Sequence, residues 1–160
     1  MSGKKQALGF TLVELMIVLV LLAIVAFIAV PNFTDLIERN RTQAQAEELK
    51  GFLLFARGEA VSRSTSITVT QNDNDEWVAK RGDEELRQLA QNPEQAQIEA
   101  SVDEIRFRSN GTATAASFTV CQNDEAAKGY RLEVQASGAI SLFPQGRTDN
   151  ENTEMTSCTP

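Results

Sequence analysis

Gly9-Phe10-Thr11-Leu12-Val13-Glu14 opens an apolar run that continues from Leu15 to Val30 with no further charge before Pro31. Phe10 to Val30 is about 21 residues, roughly 31 Å as a helix rising 1.5 Å per residue, which matches the hydrocarbon thickness of a bilayer. The segment is therefore long and apolar enough to span a membrane. Its one carboxylate, Glu14, would cost on the order of 2.5–3.5 kcal/mol at the centre of a span on insertion scales, so a function is expected of it. Ahead of the run, Met1 to Gly9 is short and carries Lys4 and Lys5. By the positive-inside rule this end stays cytoplasmic and the chain beyond Val30 is exported. An ordinary secretory signal fits less well, because the apolar run is longer than a usual signal core and Ala23 to Val30 offers no small-x-small cleavage pattern. A specifically processed leader fits better than that, or than a plain signal anchor.

Composition narrows the function classes. The 160 residues carry a net charge of −7, and 42% are hydrophobic. That suits one compact module plus a span. The acidity disfavours nucleic acid and anionic lipid surfaces, which draw on clustered Lys and Arg. There is no histidine. The commonest general base, the Ser-His-Asp and Cys-His arrangements and the commonest metal ligand are thus missing, and enzyme readings weaken. Two cysteines cannot build a zinc site unaided, and no cofactor is expected.

Past Pro31, which should kink or loosen the helix, Asp35 to Arg63 reads as more helix. Leu36, Ile37, Ala44, Leu49, Phe52, Leu53, Ala56 and Ala60 recur at spacings of three, four and seven. Glu38 with Arg41, Glu47 with Lys50 and Glu59 with Arg63 are spaced to pair on the solvent face. Phe52-Leu53-Leu54-Phe55 is apolar enough to lie beneath a sheet. Gly51 and Gly58 each cost roughly 1 kcal/mol against Ala in a helix, which suggests close packing there, with a break as the alternative. Unbroken, the helix from Phe10 to Arg63 would be on the order of 80 Å long.

The remainder switches to a period of two. Ile67 and Val69 alternate in one strand, and Trp77 and Ala79 suggest a second across the polar turn Gln71 to Asp75. Ile105 with Phe107, Phe118 with Val120, Tyr130 with Leu132 and Val134, and Ile140 with Leu142 follow. Ser109-Asn110-Gly111 and Ser137-Gly138 offer turns between them. Antiparallel sheet in successive hairpins is expected. Glu84 to Gln97 reads instead as a polar variable loop with room for a short helix at Glu84 to Gln91, and the tail from Gly146 shows no clear strand.

Smaller motifs have plainer readings. Cys121 and Cys158 make one possible bridge, worth roughly 3–4 kcal/mol on the chain-entropy model, with free or intermolecular thiols as the alternative. Asp73-Asn74-Asp75-Glu76 lacks the glycine and distant glutamate of a calcium loop and reads as a solvated turn. Arg81-Gly82-Asp83 has the look of an adhesion tripeptide, and a turn explains it equally well.

The Gly9 to Glu14 motif with its Leu15 to Val30 run resembles the class III signal of type IV prepilins and type II secretion pseudopilins, Pro31 falling where these families place a proline. Leu8 departs from the charged, polar or small residue usual before the glycine. The resemblance implies a leader at 1–9 cut by a prepilin peptidase between Gly9 and Phe10, with methylation of the new Phe10 amino group. Residues 10–30 would form the transmembrane and polymerisation helix, and 31–160 the periplasmic globular domain. Glu14 would then meet the amino terminus of a neighbouring subunit in the apolar filament core, where pairing offsets the cost of burying its charge.

A helix followed by hairpins resembles more narrowly the FimT/FimU minor pilins and the H-type minor pseudopilins. Ala46-Glu47-Glu48-Leu49, Phe55-Ala56-Arg57-Gly58-Glu59-Ala60-Val61 and Phe118-Thr119-Val120-Cys121 carry this likeness. It implies an α+β pilin fold, a long amino-terminal helix packed on an antiparallel, β-sandwich-like sheet. The implied role is a non-enzymatic minor pilin in a filament-priming or tip complex needed for pilus assembly and twitching motility. Its partners would be other minor pilins, the major pilin or pseudopilins, and the inner membrane. The main alternative is an H-type minor pseudopilin of a type II secretion system. Some FimT-like pilins bind DNA through a basic carboxyl-terminal region; here Arg147 is the only basic residue after Arg131, and no nucleic acid is expected.

Overall fold

The computed structural model describes residues 10–91 and 96–160, except for the side chains of residues 31 and 32. Two compact units divide between Ile37 and Glu38. One helix, α1 (Leu12–Ser62), contributes to both. Gly51 and Gly58 do not break it, and among the described residues nothing lies within 4 Å of a Cβ placed on either, so the expected close packing at these glycines does not appear there. Both positions are exposed. In the first unit, apolar side chains from Leu12 to Ile28 are exposed on every face of the helix, as is Phe33. Such all-round hydrophobicity belongs in lipid or in a larger apolar core.

In the second unit the helix has a buried stripe. Thr42, Gln45, Ala46, Leu49, Phe52, Leu53, Ala56 and Ala60 are buried at intervals of one, three and four. Leu36, Ile37 and Ala44, expected on the same apolar face, are exposed. The run Phe52 to Phe55 splits as helical geometry requires: Phe52 and Leu53 turn inward, Leu54 outward, and Phe55 sits at the flank beneath the Arg87 guanidinium, 5.3 Å from its ring centre. Of the three anticipated ion pairs, Glu59 with Arg63 forms; among the described residues the other two do not. Glu47 instead accepts from the Gln43 amide at 2.8 Å.

The helix ends in a Schellman motif. Thr65 N–H reaches Ala60 O at 3.1 Å and Ser64 N–H reaches Val61 O at 3.2 Å, with Ser64 left-handed at φ 51°. The chain then enters β1 (Ile67–Gln71), β2 (Trp77–Arg81), β3 (Glu84–Leu89), β4 (Gln97–Ala100), β5 (Glu104–Phe107), β6 (Ala116–Cys121), β7 (Tyr130–Val134) and β8 (Ile140–Leu142). They form two antiparallel sheets, ordered β3-β2-β1-β5 and β4-β6-β7-β8. Inner residues of both, among them Ile67, Val69, Ile105, Phe107, Phe118, Val120 and Leu132, join the helical stripe in one core. Trp77 and Phe118 meet edge to face across it, ring centres 5.4 Å apart.

Two expectations need correcting. Glu84 to Leu89, expected within a polar loop with room for a short helix, is a strand paired with β2, and Gln97 begins another. The two-residue turn at Gly82-Asp83, with Gly82 at φ +59°, folds β3 back on β2 and gives Arg81-Gly82-Asp83 its plain role as a hairpin turn. The hairpins are also not all successive. β5 pairs with β1 and β4 with β6, so the chain crosses between sheets three times from β3 to β6. Ser109-Asn110-Gly111 does turn the chain, with Arg108 N–H on Thr112 O at 2.8 Å, but the reversal supports only a bridge from Phe107 to Ala113.

Candidate assembly site

Glu14 lies in the first turn of α1. Its carboxylate Oε2 accepts from the Thr11 backbone N–H at 2.9 Å and from the Thr11 hydroxyl at 2.8 Å, while Thr11 Oγ1 accepts the Glu14 N–H at 3.2 Å. This is a capping box, in which the residue before the helix and the third residue within it satisfy each other's orphan groups. Thr11 was not among the residues singled out from sequence, although its Thr-x-x-Glu spacing was the signal. Phe10 is exposed beside it, outside the helix. Gly9 and the leader lie outside the described residues. The backbone at Pro31 is helical, and its side chain lies outside the description.

At the other end, Cys121 and Cys158 are joined by a disulfide with Cα atoms 6.0 Å apart. Met155 and Ala126 pack around it. The buried Thr119 hydroxyl donates to the Cys158 carbonyl, and Met155 N–H donates to Gly146 O at 2.9 Å. The polar tail is thus tied to β6 by a bond, a hydrogen bond and one apolar anchor. Gly129 permits the arrangement, since a Cβ there would stand 2.7 Å from Cys121 Sγ. Within the tail, the hydroxyl and N–H of Thr153 hold the Asp149 carboxyl below its ordinary range. Nearer the core, burial first and Glu47 second push the Tyr130 phenol up.

Among the described residues, no group of three or more His, Cys, Asp or Glu could hold a metal ion. The Asp73 to Glu76 segment is organised internally: Asn72 Oδ1 accepts the N–H groups of Asn74 and Glu76, each at 2.9 Å. That is the solvated turn expected from its composition.

A helix of this length with two small antiparallel sheets packed on its carboxyl half is the pilin fold. The model for the family "Type II transport protein GspH" matches residues 45–138, and that for the prokaryotic N-terminal methylation motif matches residues 4–30. The chain belongs to the GspH family. Two crystal structures of the type IV minor pilin FimU from Pseudomonas aeruginosa are similar to it. One is 26% identical with a TM-score of 0.62, covering 77% of this chain and 98% of that one; the other is 25% identical with a TM-score of 0.60, covering 72% and 98%. The minor pseudopilin EpsH of the Vibrio cholerae type 2 secretion system shares the fold at 14% identity, with a TM-score of 0.56 over 67% of this chain and 99% of that one. A search of curated proteins finds no match.

Proposed function

We propose that this chain is a minor type IV pilin, a non-enzymatic subunit of a filament-priming or tip complex needed for pilus assembly and twitching motility. The observation that carries this reading is the likeness to FimU, which reaches 26% identity against 14% for EpsH. Residues 1–9 form a leader removed by a prepilin peptidase between Gly9 and Phe10, after which Phe10 carries an N-methylated amino terminus. Residues 10–30 hold the subunit in the inner membrane and later become filament core. Residues 31–160 form the periplasmic domain, and Pro31 gives the helix its local freedom. Glu14 supplies the contact to a neighbouring subunit's amino terminus, and the sheets face other minor pilins. Arg147 stands alone among acidic residues in the tail and donates to the Asn152 carbonyl at 2.6 Å, so the tail presents no basic cluster for nucleic acid.

The family description favours a second reading, an H-type minor pseudopilin of a type II secretion system. Deleting the gene separates the two. Loss of surface pili and twitching with normal exoprotein secretion is the expected result. Lost secretion with normal pili would overturn the first reading in favour of the second.

A further inference from the structure

Among the described residues, β4 is the outer strand of its sheet and pairs with β6 alone. Ser101 N–H continues that ladder onto Ser117 O at 2.9 Å. By antiparallel alternation, residues 97, 99 and 101 therefore bond toward β6, while Ile98 and Ala100 turn their amides and carbonyls away from it. The outward Ile98 N–H is met at 3.0 Å by Gln91 Oε1, a side-chain amide standing where a neighbouring strand's carbonyl would lie. The edge borders a cleft of about 550 Å³ whose walls include Gln71, Asp75, Trp77, Gln91, Glu99 and Asp103.

Two features point to an occupant. The three carboxylates in the wall have no Lys or Arg among the other lining residues. Trp77 is only 2% exposed, and its indole Nε1 has no hydrogen-bond partner among the described residues; Gln91 Nε2 is buried and equally unpartnered. Buried donors are nearly always paired, so an orphan pair at one cleft marks where acceptors belong.

We propose that this cleft receives an extended, basic segment of another subunit of the same filament, added to the outer edge of β4 as a further strand. The proposal rests on the filament-subunit reading above. Carbonyls of the incoming strand take the Ala100 N–H and, once Gln91 gives way, the Ile98 N–H, leaving the Gln91 amide and the Trp77 indole to find acceptors on the same segment. Lys or Arg side chains on that strand meet Asp75, Glu99 and Asp103. A second copy of this chain is a poor occupant, because two β4 edges placed side by side would bring acidic clefts together in a chain of net charge −7.

The test uses the full chain in its native cells with photoreactive benzoylphenylalanine in place of Glu99, irradiated in assembled filaments. Cross-links are expected on one segment of a different filament subunit, mapped by mass spectrometry. Ala100→Pro removes an outward N–H without touching the β6 ladder, and Asp75→Lys with Asp103→Lys reverses the wall's charge. Each is expected to lower the cross-link yield roughly tenfold. Glu151→Lys in the tail should leave it unchanged. An intact Cys121–Cys158 link, checked by mass, reports folding, and the charge-reversal variant decides alone if the proline variant misfolds. Unchanged yields, no cross-link, or cross-links to a second copy or to a protein outside the filament overturn the proposal. Absence of the wild-type chain from sheared filaments overturns instead the reading on which it rests.

Discussion

Glu14 carries two demands that its hydrogen bonds reconcile. An isolated carboxylate at the head of an apolar helix is costly in lipid. In the monomer Thr11 supplies its N–H and hydroxyl to that carboxylate, and the positive end of the helix macrodipole adds to their effect. In the proposed filament the same oxygen is handed to a neighbour's amino terminus. Glu14→Ala should therefore leave leader removal largely intact while sharply reducing the subunit in sheared filaments, as read by immunoblot; normal incorporation would remove the assembly role. Thr11→Ala should cost about 1 kcal/mol of capping at the helix start, yet leave Glu14 able to meet a neighbour, so its incorporation loss should be the milder. The exceptional position of Glu14 was plain in the sequence because a single charge interrupts an otherwise uncharged run. Its local partner, Thr11, stands in the same motif at the Thr-x-x-Glu spacing of a capping box, a signal overshadowed by the apolar run behind it.

Elements were legible where burial imposes a period. The stripe from Leu49 to Ala60 and the alternation of β1, β5, β6 and β7 all face one core and repeat accordingly. β3 escaped because it is an edge strand: of Glu84 to Leu89, only Leu89 is buried and Leu86 half-buried, leaving a mostly charged and polar string that resembles a loop. The pairing of β5 with β1 escaped for another reason, being a contact between segments far apart in the chain that no local pattern specifies. Gly129 shows how tightly the turn before β7 is set. A Cβ there would press on Cys121 Sγ at 2.7 Å and on the Val120 carbonyl at 3.2 Å, neither of which is a flexible chain end. Gly129→Ala should lower the unfolding free energy by roughly 1–3 kcal/mol, seen as a lower urea midpoint with an unchanged slope. A wild-type midpoint would show that this turn yields more easily than its contacts imply.

At the scale of the whole globular unit, the question is what the carboxyl-terminal tail contributes to a fold already closed by two sheets and a helix. Its strand content is a single bridge, Arg147 to Glu154, and Met155 is its one buried apolar anchor ahead of Cys158. Burial alone would hold it weakly. The disulfide changes the balance by joining residues 37 apart in sequence, so that the unfolded chain loses the entropy of an open loop. Replacing both cysteines by serine should therefore lower the unfolding free energy by roughly 3–4 kcal/mol, a large share of the 5–15 kcal/mol typical of a domain. Two measurements separate this from mere fraying of the tail. Chemical denaturation should show the loss in the cooperative transition of the whole unit, and native-state hydrogen exchange should show faster exchange in β6 and β7 as well as beyond Gly146. Mass spectrometry of the wild-type protein from its native cells should find the linked pair; two free thiols, or a double-serine variant whose transition does not move, would mean that the sheets and helix hold the fold without the staple.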